Sequence, residues 1–293
     1  MKKELPKIDW QRADTLIRLA LEEDLCGRGD TTSISVIPET TVAAARFVSR
    51  ENCVCAGIEL ARRVFMALDS RILWKPLAED GDFVLAGGFL AEVSGPARTL
   101  LTAERTSLNF LQRLCGVATM ARLYSEAAQK GGKAIILDTR KTTPGWRNLE
   151  KYAVAAGGAG NHRIGLYDRI MIKDNHRELA GFEGTDGIRR SVERARGSYP
   201  DLEVEVEADT LDDVREGLAA GADYILLDNM DNATMSEAVR IVAGRAKLEA
   251  SGGITLERVP SISALGVDFI SVGALTHSVK SIDISMEILP QTA

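Results

Sequence analysis

The chain has 293 residues, a formal net charge of −6 and 45% hydrophobic residues, a composition typical of a globular protein with ample length for a core. An acidic chain without a basic tail is not expected to bind nucleic acid. No stretch approaches the roughly 18 apolar residues of a membrane span. The N-terminus also lacks the apolar segment of a signal peptide, so we expect a cytoplasmic protein that makes no membrane contact.

The number and spacing of the cysteines are consistent with a cytoplasmic location. Cys26, Cys53, Cys55 and Cys115 do not show the CxxC spacing of a metal site. Because the cytoplasm keeps thiols reduced, we predict four reduced, structural cysteines.

The first hundred residues are predicted to mix helices with short strands. Apolar residues repeat at helical spacing over 8–24, strands are indicated over 41–50 and 53–58, and a short helix follows over 59–68. Glycines punctuate short apolar runs between 77 and 97, a pattern typical of a small β-rich module.

A long helix is predicted from about 102 to 129, with Thr102 as its N-cap. This places Arg105 in the first helical turn, where the helix dipole disfavours a cation. Two interpretations stay open: an ordinary solvated arginine, or an arginine directed at an anion that the helix N-terminus also attracts.

From residue 133 onward, strand, loop and helix repeat. The predicted strands are 134–138, 169–173, 202–207, 223–228, 247–251 and 268–272, and the predicted helices include 185–196, 211–220, 232–244 and 256–265. This period indicates a parallel sheet with right-handed crossovers. The segment is too short for an eight-unit barrel of about 250 residues. We therefore predict an open or reduced α/β barrel of parallel strands, with an open doubly wound sheet as the alternative.

Positive charge is concentrated between residues 139 and 176. The basic residues of this block are Arg140, Lys141, Arg147, Lys151, Arg163, Arg169 and Lys173, with His162 and His176 beside them. Such a block is either a solvated basic face or a site for a small polyanion. The turn residues and apolar residues that interrupt the block favour the anion site.

Candidate site residues also follow the predicted strands, at the end where α/β barrels carry their active sites. They are Arg140, Lys141, Lys173, Glu207, Asp228, Ser251, Gly252, Gly253, Ser271, Val272 and Gly273. The two glycine turns lie about one βα unit apart, and glycine lets main-chain N–H groups approach an anion closely. We expect these turns to bind a phosphate.

Three glutamates, Glu203, Glu205 and Glu207, alternate along one predicted strand and share one face. If that strand is central, the face lines the barrel interior or its mouth. Glu207 and Asp228 would then grip sugar hydroxyls or a Mg²⁺ carried by a phosphate substrate, or else orient the neighbouring cations.

Seven segments, in order along nearly the whole chain, carry a family resemblance. They are EDLCGRGDTTS, LTAERTSLNFLQRLCGVAT, TRKTTPGWRNLEKYAVAAGGAGNHRIGLYDRIMIKDNH, EVEVE, ILLDN, ASGGIT and SVGALTHS. Together they resemble the quinolinate phosphoribosyltransferases. One departure is Cys115, which stands where that family is expected to have serine.

The resemblance implies transfer of phosphoribosyl from phosphoribosyl pyrophosphate to quinolinate with decarboxylation. The products would be nicotinate mononucleotide, pyrophosphate and CO₂, in NAD synthesis and with Mg²⁺. The resemblance also implies an N-terminal α/β domain over 1–116, completed by the tail 276–293, and an α/β-barrel domain over 117–275. Family members form homodimers or larger homo-oligomers, in which the arginine matching Arg105 completes the active site across the interface.

Residue roles follow from the same motifs. The residues that match the quinolinate-carboxylate cluster are Arg140, His162, Arg163 and Lys173. Those that match contacts to the phosphoribosyl substrate are Lys141, Glu207 and Asp228, with Ser251 to Gly253 and Ser271 to Gly273 around its 5-phosphate. Thr139 is a further candidate substrate-binding residue. The candidate catalytic residues are Lys141, Lys173, Glu207 and Asp228. Two rivals stay open: a related phosphoribosyltransferase for another acceptor, and a non-catalytic sensor of a sugar phosphate.

Overall fold

The computed structural model describes residues 5–182, 184 and 186–290. The helices are α1 (Trp10–Leu25), α2 (Thr31–Val36), α3 (Ile58–Leu68), α4 (Ala97–Gly131), α5 (Arg147–Ala156), α6 (Asp174–Leu179), α7 (Gly187–Ser198), α8 (Leu211–Ala219), α9 (Asn232–Val242), α10 (Val259–Ser263) and α11 (Ala274–His277). The strands are β1 (Val42–Ser49), β2 (Cys53–Val54), β3 (Leu73–Pro76), β4 (Phe83–Val84), β5 (Phe89–Pro96), β6 (Ile135–Leu137), β7 (Ile170–Ile172), β8 (Val204–Ala208), β9 (Tyr224–Asp228), β10 (Lys247–Ser251), β11 (Phe269–Ser271) and β12 (Ile284–Ile288). Within these described ranges, no helix has both the length and the apolar character needed to span a membrane.

The chain divides into two compact units. The first contains the chain up to Arg122, residues Thr142–Gly158 and the chain from Leu275 onward, and the second contains Leu123–Lys141 and Ala159–Ala274. The predicted boundaries, 1–116 with 276–293 against 117–275, differ mainly in the segment 142–158. The last three residues of the predicted tail lie outside the described residues.

The first unit is built around a four-stranded antiparallel sheet in the order β12-β1-β5-β3. On β1 the fully buried Phe47 contacts the rings of Phe65 and Trp74, with centroids 6.0 and 5.4 Å away. Aromatic burial of this kind is a large apolar contribution to stability. The C-terminal strand β12 supplies an edge of the sheet, with Ala45 opposite Ile288 and Ser49 opposite Ile284.

Helix α5 belongs to the first unit because of two polar contacts. The fully buried Glu150 pairs with the guanidinium of Arg113 on α4, at 2.8 Å. The hydroxyl of Tyr152 donates to Asp80 at 2.6 Å. A buried carboxylate requires such a partner, so α5 contributes to this unit although it lies between two barrel strands in sequence.

All four cysteines are free thiols, and Cys53, Cys55 and Cys115 are buried. The sulfur of Cys115 accepts from the main-chain N–H of Ala56 at 3.4 Å. The cysteine that departs from the family pattern is therefore an ordinary core side chain.

The second unit is a six-stranded parallel sheet in the order β6-β11-β10-β9-β8-β7. Strands β7 to β11 are neighbours in sequence order, and β6 pairs with β11. This is the cyclic order of a barrel that is open between β6 and β7. It confirms the open α/β barrel and excludes the doubly wound alternative, in which the strand order reverses inside the sheet.

The start of α4 corrects one prediction. The strand β5 passes directly into the helix at Ala97, so Thr102 lies inside the helix and its hydroxyl donates to the carbonyl of Arg98 at 2.8 Å. The prediction that Thr102 is the N-cap was wrong, and Arg105 is not in the first turn. Arg105 is exposed in the third turn of α4, beyond the first turn to which the dipole argument applies.

Smaller differences concern element ends. Strand β2 stops at Val54 because residues 55–57 turn into α3, so the strand predicted over 53–58 is too long. The helix predicted over 185–196 begins at Gly187, and residue 185 lies outside the described residues. The short helices α2, α5 and α6 were not predicted.

Candidate active site

The carboxyl ends of the barrel strands surround a pocket of about 620 Å³ inside the second unit. The predicted site residues that line it are Thr139, Arg140, Lys141, His162, Arg163, Lys173, Asp228, Ser251, Gly252, Gly253 and Ser271. Glu207, Val272 and Gly273 lie at or just after the ends of β8 and β11 but are not among the residues that line the pocket. Arg105 belongs to the first unit. The barrel thus gathers most of the predicted set, because parallel strands end at one edge.

One wall of the pocket is an irregular segment beside β6, on the side where the barrel is open. Gly160 forms a single parallel bridge with Leu137, and its N–H donates to the carbonyl of Ile136 at 2.8 Å. The fully buried carboxylate of Asp138 accepts from the main-chain N–H of His162 and the side-chain amide of Asn161, both at 2.8 Å. This anchoring fixes where residues 162 and 163 enter the pocket.

The cationic face of the pocket centres on Arg163. Its guanidinium donates to the carbonyl of Arg169 at 3.1 Å and lies 3.5 Å from the sulfur of Met171. Burial lowers the pKa of Arg163, and the nearby charge of Arg140 lowers it further. A bound anion would relieve both effects, because it would pair with the two cations. The electrostatics therefore favour an anionic ligand here.

Lys173 and Glu207 form an ion pair at the ends of β7 and β8. The two strands pair in parallel, with Ile172 opposite Val206. The residues that follow these two, Lys173 and Glu207, therefore lie side by side. Glu207 is buried and the lysine side chain is 42% exposed. The carboxylate therefore holds the ammonium group at the pocket wall.

Below the cations lies a buried cluster of one histidine and two glutamates. Nε2 of His162 lies 3.2 Å from an oxygen of Glu205 and 3.4 Å from an oxygen of Glu249. The hydroxyl of Ser271 donates to the same oxygen of Glu249, and the guanidinium of Arg169 lies 3.6 Å from Glu205. Sequence reasoning missed Glu249, although an acid inside the predicted strand KLEAS was the available signal.

The charge of this cluster is set by opposing effects. Burial lowers the pKa of His162, but its contacts with Glu205 and Glu249 raise the pKa by more than burial lowers it. The resulting pKa of His162 is about 9. Burial likewise raises the pKa of Glu205. The main-chain N–H of Arg163 donates to Nδ1 of His162 at 2.7 Å, which opposes a proton on that nitrogen. Because Nδ1 accepts that hydrogen bond, the ring keeps one proton, on Nε2, and the extra proton that the raised pKa values describe is held by the glutamate carboxylates.

The opposite wall is the glycine turn after β10. Gly252 and Gly253 have φ angles of +85° and +57°, in the left-handed region. A Cβ on Gly252 would lie 2.2 Å from the side-chain oxygen of Asn229 and 2.7 Å from its main-chain nitrogen. Only glycine fits there, and the resulting bare main chain suits close approach of a phosphate.

The second glycine turn, 271–273, is less open. The hydroxyl of Ser271 is engaged by Glu249, and the N–H of the buried Val272 donates to the carbonyl of Leu137 at 2.9 Å. These bonds tie the end of β11 to β6 and β10. The turn at 251–253 is therefore the more accessible of the two.

Two family models match the chain. The quinolinate phosphoribosyl transferase C-terminal domain matches residues 117–287, and the N-terminal domain of the same family matches residues 30–115. The chain belongs to the quinolinate phosphoribosyltransferase family. The N-terminal match covers most of the antiparallel sheet, and the C-terminal match covers all six strands of the open barrel.

Individual relatives are similar over most of their lengths. The chloroplastic nicotinate-nucleotide pyrophosphorylase (carboxylating) of Arabidopsis thaliana is 43% identical, over 93% of this chain and 82% of its own. A probable enzyme of the same name from Bacillus subtilis is 45% identical, over 91% and 90%. The structure of the nicotinate-nucleotide pyrophosphorylase from Francisella tularensis superposes with a TM-score of 0.91 at 37% identity, covering 99% of this chain and all of that one.

Proposed function

We propose that this protein transfers the phosphoribosyl group of phosphoribosyl pyrophosphate to quinolinate with decarboxylation. The products are nicotinate mononucleotide, pyrophosphate and CO₂, in de novo NAD synthesis. The observation that carries this proposal is the pocket itself, in which the side chains of Arg140, Lys141, Arg163 and Lys173 face a bare glycine turn at Gly252 within a member of this family. An acidic protein that concentrates cations in one pocket is suited to two polyanionic substrates.

The donor substrate occupies the side of the glycine turns. Main-chain N–H groups at Gly252 and Gly253 hold the 5-phosphate, and Asp228 accepts hydrogen bonds from ribose hydroxyls. Lys141, exposed beside the pocket, stabilises negative charge that grows on pyrophosphate as it leaves. Glu207 keeps Lys173 in place for the same purpose.

The acceptor occupies the side of the arginines. Its two carboxylates pair with Arg140 and Arg163, which directs the pyridine nitrogen at the ribose carbon that loses pyrophosphate. The new C–N bond forms as the C–O bond to pyrophosphate breaks. The pyridinium ring then accepts the electron pair released when the neighbouring carboxylate leaves as CO₂, and that ring carbon takes a proton from water.

Magnesium fits this site chiefly through the donor substrate. The carboxylate of Glu207 is engaged by Lys173, and Asp228 accepts from the amide of Asn229 at 2.7 Å. Mg²⁺ commonly binds through one or two carboxylates together with substrate phosphates, so Asp228 is the candidate protein contact and Glu207 is the second. The ion would neutralise charge on the pyrophosphate.

The assembly is a homodimer or larger homo-oligomer in which Arg105 completes the partner's site. Its exposure on α4 leaves Arg105 available to another subunit. Mixing two inactive variants, Arg105→Ala and Lys173→Ala, should restore activity, since some sites then contain both native residues. No recovery after the subunits have exchanged would contradict a shared site.

Cytoplasmic location stays a prediction. Relatives from plants are named as chloroplastic or mitochondrial proteins. Fluorescence microscopy of the tagged full-length protein in its own cell would test it.

Acceptor binding tests the proposed function without turnover. Equilibrium dialysis with quinolinate and with nicotinate should show tighter binding of the dicarboxylate, because nicotinate leaves one arginine unpaired. Equal affinity for both acceptors would favour the related phosphoribosyltransferase that acts on another ring.

A further inference from the structure

The buried cluster of His162, Glu205 and Glu249 has a geometry that a simple ligand-binding histidine would not need. The ring is 6% exposed and the two glutamates are fully buried. Each residue comes from a different place in the barrel: the segment after Gly160, strand β8 and strand β10. Burying two carboxylates is costly unless they are compensated, so their placement at the pocket, which His162 and Glu249 help to line, calls for a function.

Both ring nitrogens of His162 are directed at protein groups. The N–H of Arg163 donates to Nδ1, at 2.7 Å. Nε2 faces Glu205 and Glu249, at 3.2 and 3.4 Å. A nitrogen that accepts a hydrogen bond carries no proton, so the geometry selects the tautomer with the proton on Nε2. Neither nitrogen is then directed at a substrate carboxylate.

We infer that Glu205 and Glu249 are positioning residues, which fix the ring and tautomer of His162 and thereby the main chain that presents Arg163 to the acceptor. His162 itself acts as a positioning residue rather than as a direct contact to the substrate. The part of this inference that concerns acceptor binding rests on the proposed function.

Three sets of contacts connect the two glutamates with the position of Arg163 in the pocket. Glu205 and Glu249 lie beside Nε2 at 3.2 and 3.4 Å, Nδ1 accepts from the N–H of Arg163, and Asp138 accepts from the N–H of His162. The dipeptide 162–163 is thus fixed at both of its N–H groups. The guanidinium of Arg163 leaves this fixed main chain and reaches the carbonyl of Arg169.

Glu249 also connects the two sides of the pocket. Its oxygen that lies nearest His162 accepts from the hydroxyl of Ser271 at the end of β11. The acceptor side and the phosphate side are therefore both held by one carboxylate. Loss of Glu249 should affect both substrates, whereas loss of Glu205 should affect the acceptor alone.

The same three groups could in principle hold a cation, because their ligand atoms lie within 4.8 Å of one another. Existing partners oppose that interpretation: Ser271 donates to Glu249, and Arg169 lies 3.6 Å from Glu205. A metal would also need the proton on Nε2 to leave. We therefore assign the cluster to positioning.

The first test is spectroscopic and needs no substrate. The chain has three histidines, so ¹⁵N-labelled imidazole signals can be assigned with His176→Gln and His277→Gln variants. At neutral pH His162 should show an unprotonated Nδ1 and a protonated Nε2. A doubly protonated ring, the opposite tautomer, or a shift of these signals on adding one equivalent of Zn²⁺ would overturn the inference whether or not the proposed reaction occurs.

The second test uses kinetics with matched variants. Glu205→Gln keeps an oxygen acceptor for Nε2–H and should leave the tautomer and the acceptor KM close to native. Glu205→Leu removes the carboxylate beside Nε2 and should raise the KM for the acceptor substrate about tenfold, the effect of losing one close charged partner, with a smaller change in kcat and an unchanged donor KM. Glu203→Gln is the control, since Glu203 is exposed and lies at 3.6 Å from the same Arg169.

The two variants at Glu205 separate positioning from general destabilisation. Equal loss of activity in Glu205→Gln and Glu205→Leu would overturn the inference, because the conservative variant should rescue function. Unchanged acceptor KM in a folded Glu205→Leu would overturn it as well. If Glu205→Leu does not fold, the tautomer measured in the native protein still decides.

Discussion

The contribution of a charged residue in this pocket depends on whether its removal leaves another charged group buried without a partner. An exposed arginine such as Arg189 on α7 pairs with neighbouring acids in water, where such a pair contributes little. Arg163 is partly buried beside Arg140, and burial lowers its pKa. Its charge is maintained at an energetic cost, which an anionic ligand can offset.

Substitution of Arg163 should therefore be severe. Arg163→Ala would leave an acceptor carboxylate unpaired in a partly desolvated site, at a cost of about 2–5 kcal/mol, or roughly 30-fold to several thousand-fold in kcat/KM. Steady-state kinetics measure this loss, with Arg189→Ala as the surface control. Near-native kinetics of Arg163→Ala would remove this residue from the acceptor site.

The glycine turn offers a second test at the scale of one side chain. Gly252 and Gly221 both have positive φ, +85° and +75°, but only Gly252 has neighbours within reach of a Cβ. Gly221→Ala should lose about 1–2 kcal/mol of stability from backbone strain alone. Gly252→Ala should lose more and should also raise the donor KM by about tenfold or more, since the turn that approaches the phosphate must move.

Comparison of the two glycine variants isolates the phosphate site. Urea unfolding gives the stability of each, and initial rates give the donor KM. A donor KM that rises equally in Gly221→Ala and Gly252→Ala would show that strain anywhere in the barrel, rather than the turn itself, governs donor binding.

At the scale of elements, the residue at which a helix begins is determined more by side-chain hydrogen bonds than by the spacing of apolar residues. The short helix α2 has Asp30 as its N-cap, and the carboxylate accepts from the N–H of Ser33 at 2.9 Å. The same carboxylate accepts from the hydroxyl of Thr102 at 3.2 Å. Thr102, predicted as a cap for its own helix, instead helps to hold the cap of another one.

Removal of this cap should be measurable. Asp30→Ala should reduce the free energy of unfolding by about 1 kcal/mol, the usual value for an N-cap. Hydrogen bonds from Ser33 lower the pKa of Asp30 in the folded state. Its contribution is therefore present above the unfolded pKa of about 3.9 and is lost as pH falls through the lower folded value.

The pH dependence separates charge from hydrogen bonding. Asp30→Asn keeps the cap but has no proton to gain, so its stability should fall less steeply than that of the native protein as the pH drops below about 4. Urea unfolding at a series of pH values checks this. Parallel acid profiles for the native protein and Asp30→Asn would show that Asp30 does not titrate with an altered pKa.

At the scale of the whole molecule, regular repetition made the barrel predictable. Each of its six strands was predicted within two residues, since buried parallel strands are apolar and recur at nearly constant spacing. The assignment of α5 to the first unit could not be predicted, because it depends on Arg113 and Tyr152 finding partners far away in sequence.

Strand ends made part of the candidate site predictable, whereas His162 and Arg163 lie outside the strands and were predicted from the basic block and the family resemblance. Lys173 and Asp228 stand directly at strand ends, and glycine pairs mark the phosphate turn. Asp138 and Glu249 were missed as site residues because an acid in a buried position is compensated by partners that no local pattern reveals. Arg105 was singled out on a helix start that the structure moves by five residues.

Product release tests the central claim most directly. The purified protein would be mixed with quinolinate, phosphoribosyl pyrophosphate and Mg²⁺, with nicotinate as the parallel acceptor, while CO₂ and pyrophosphate are both measured. We predict one CO₂ for each pyrophosphate with quinolinate and no CO₂ with nicotinate. Pyrophosphate release with nicotinate alone, or without any acceptor, would contradict the carboxylating transfer and would point to a different ring in the pocket.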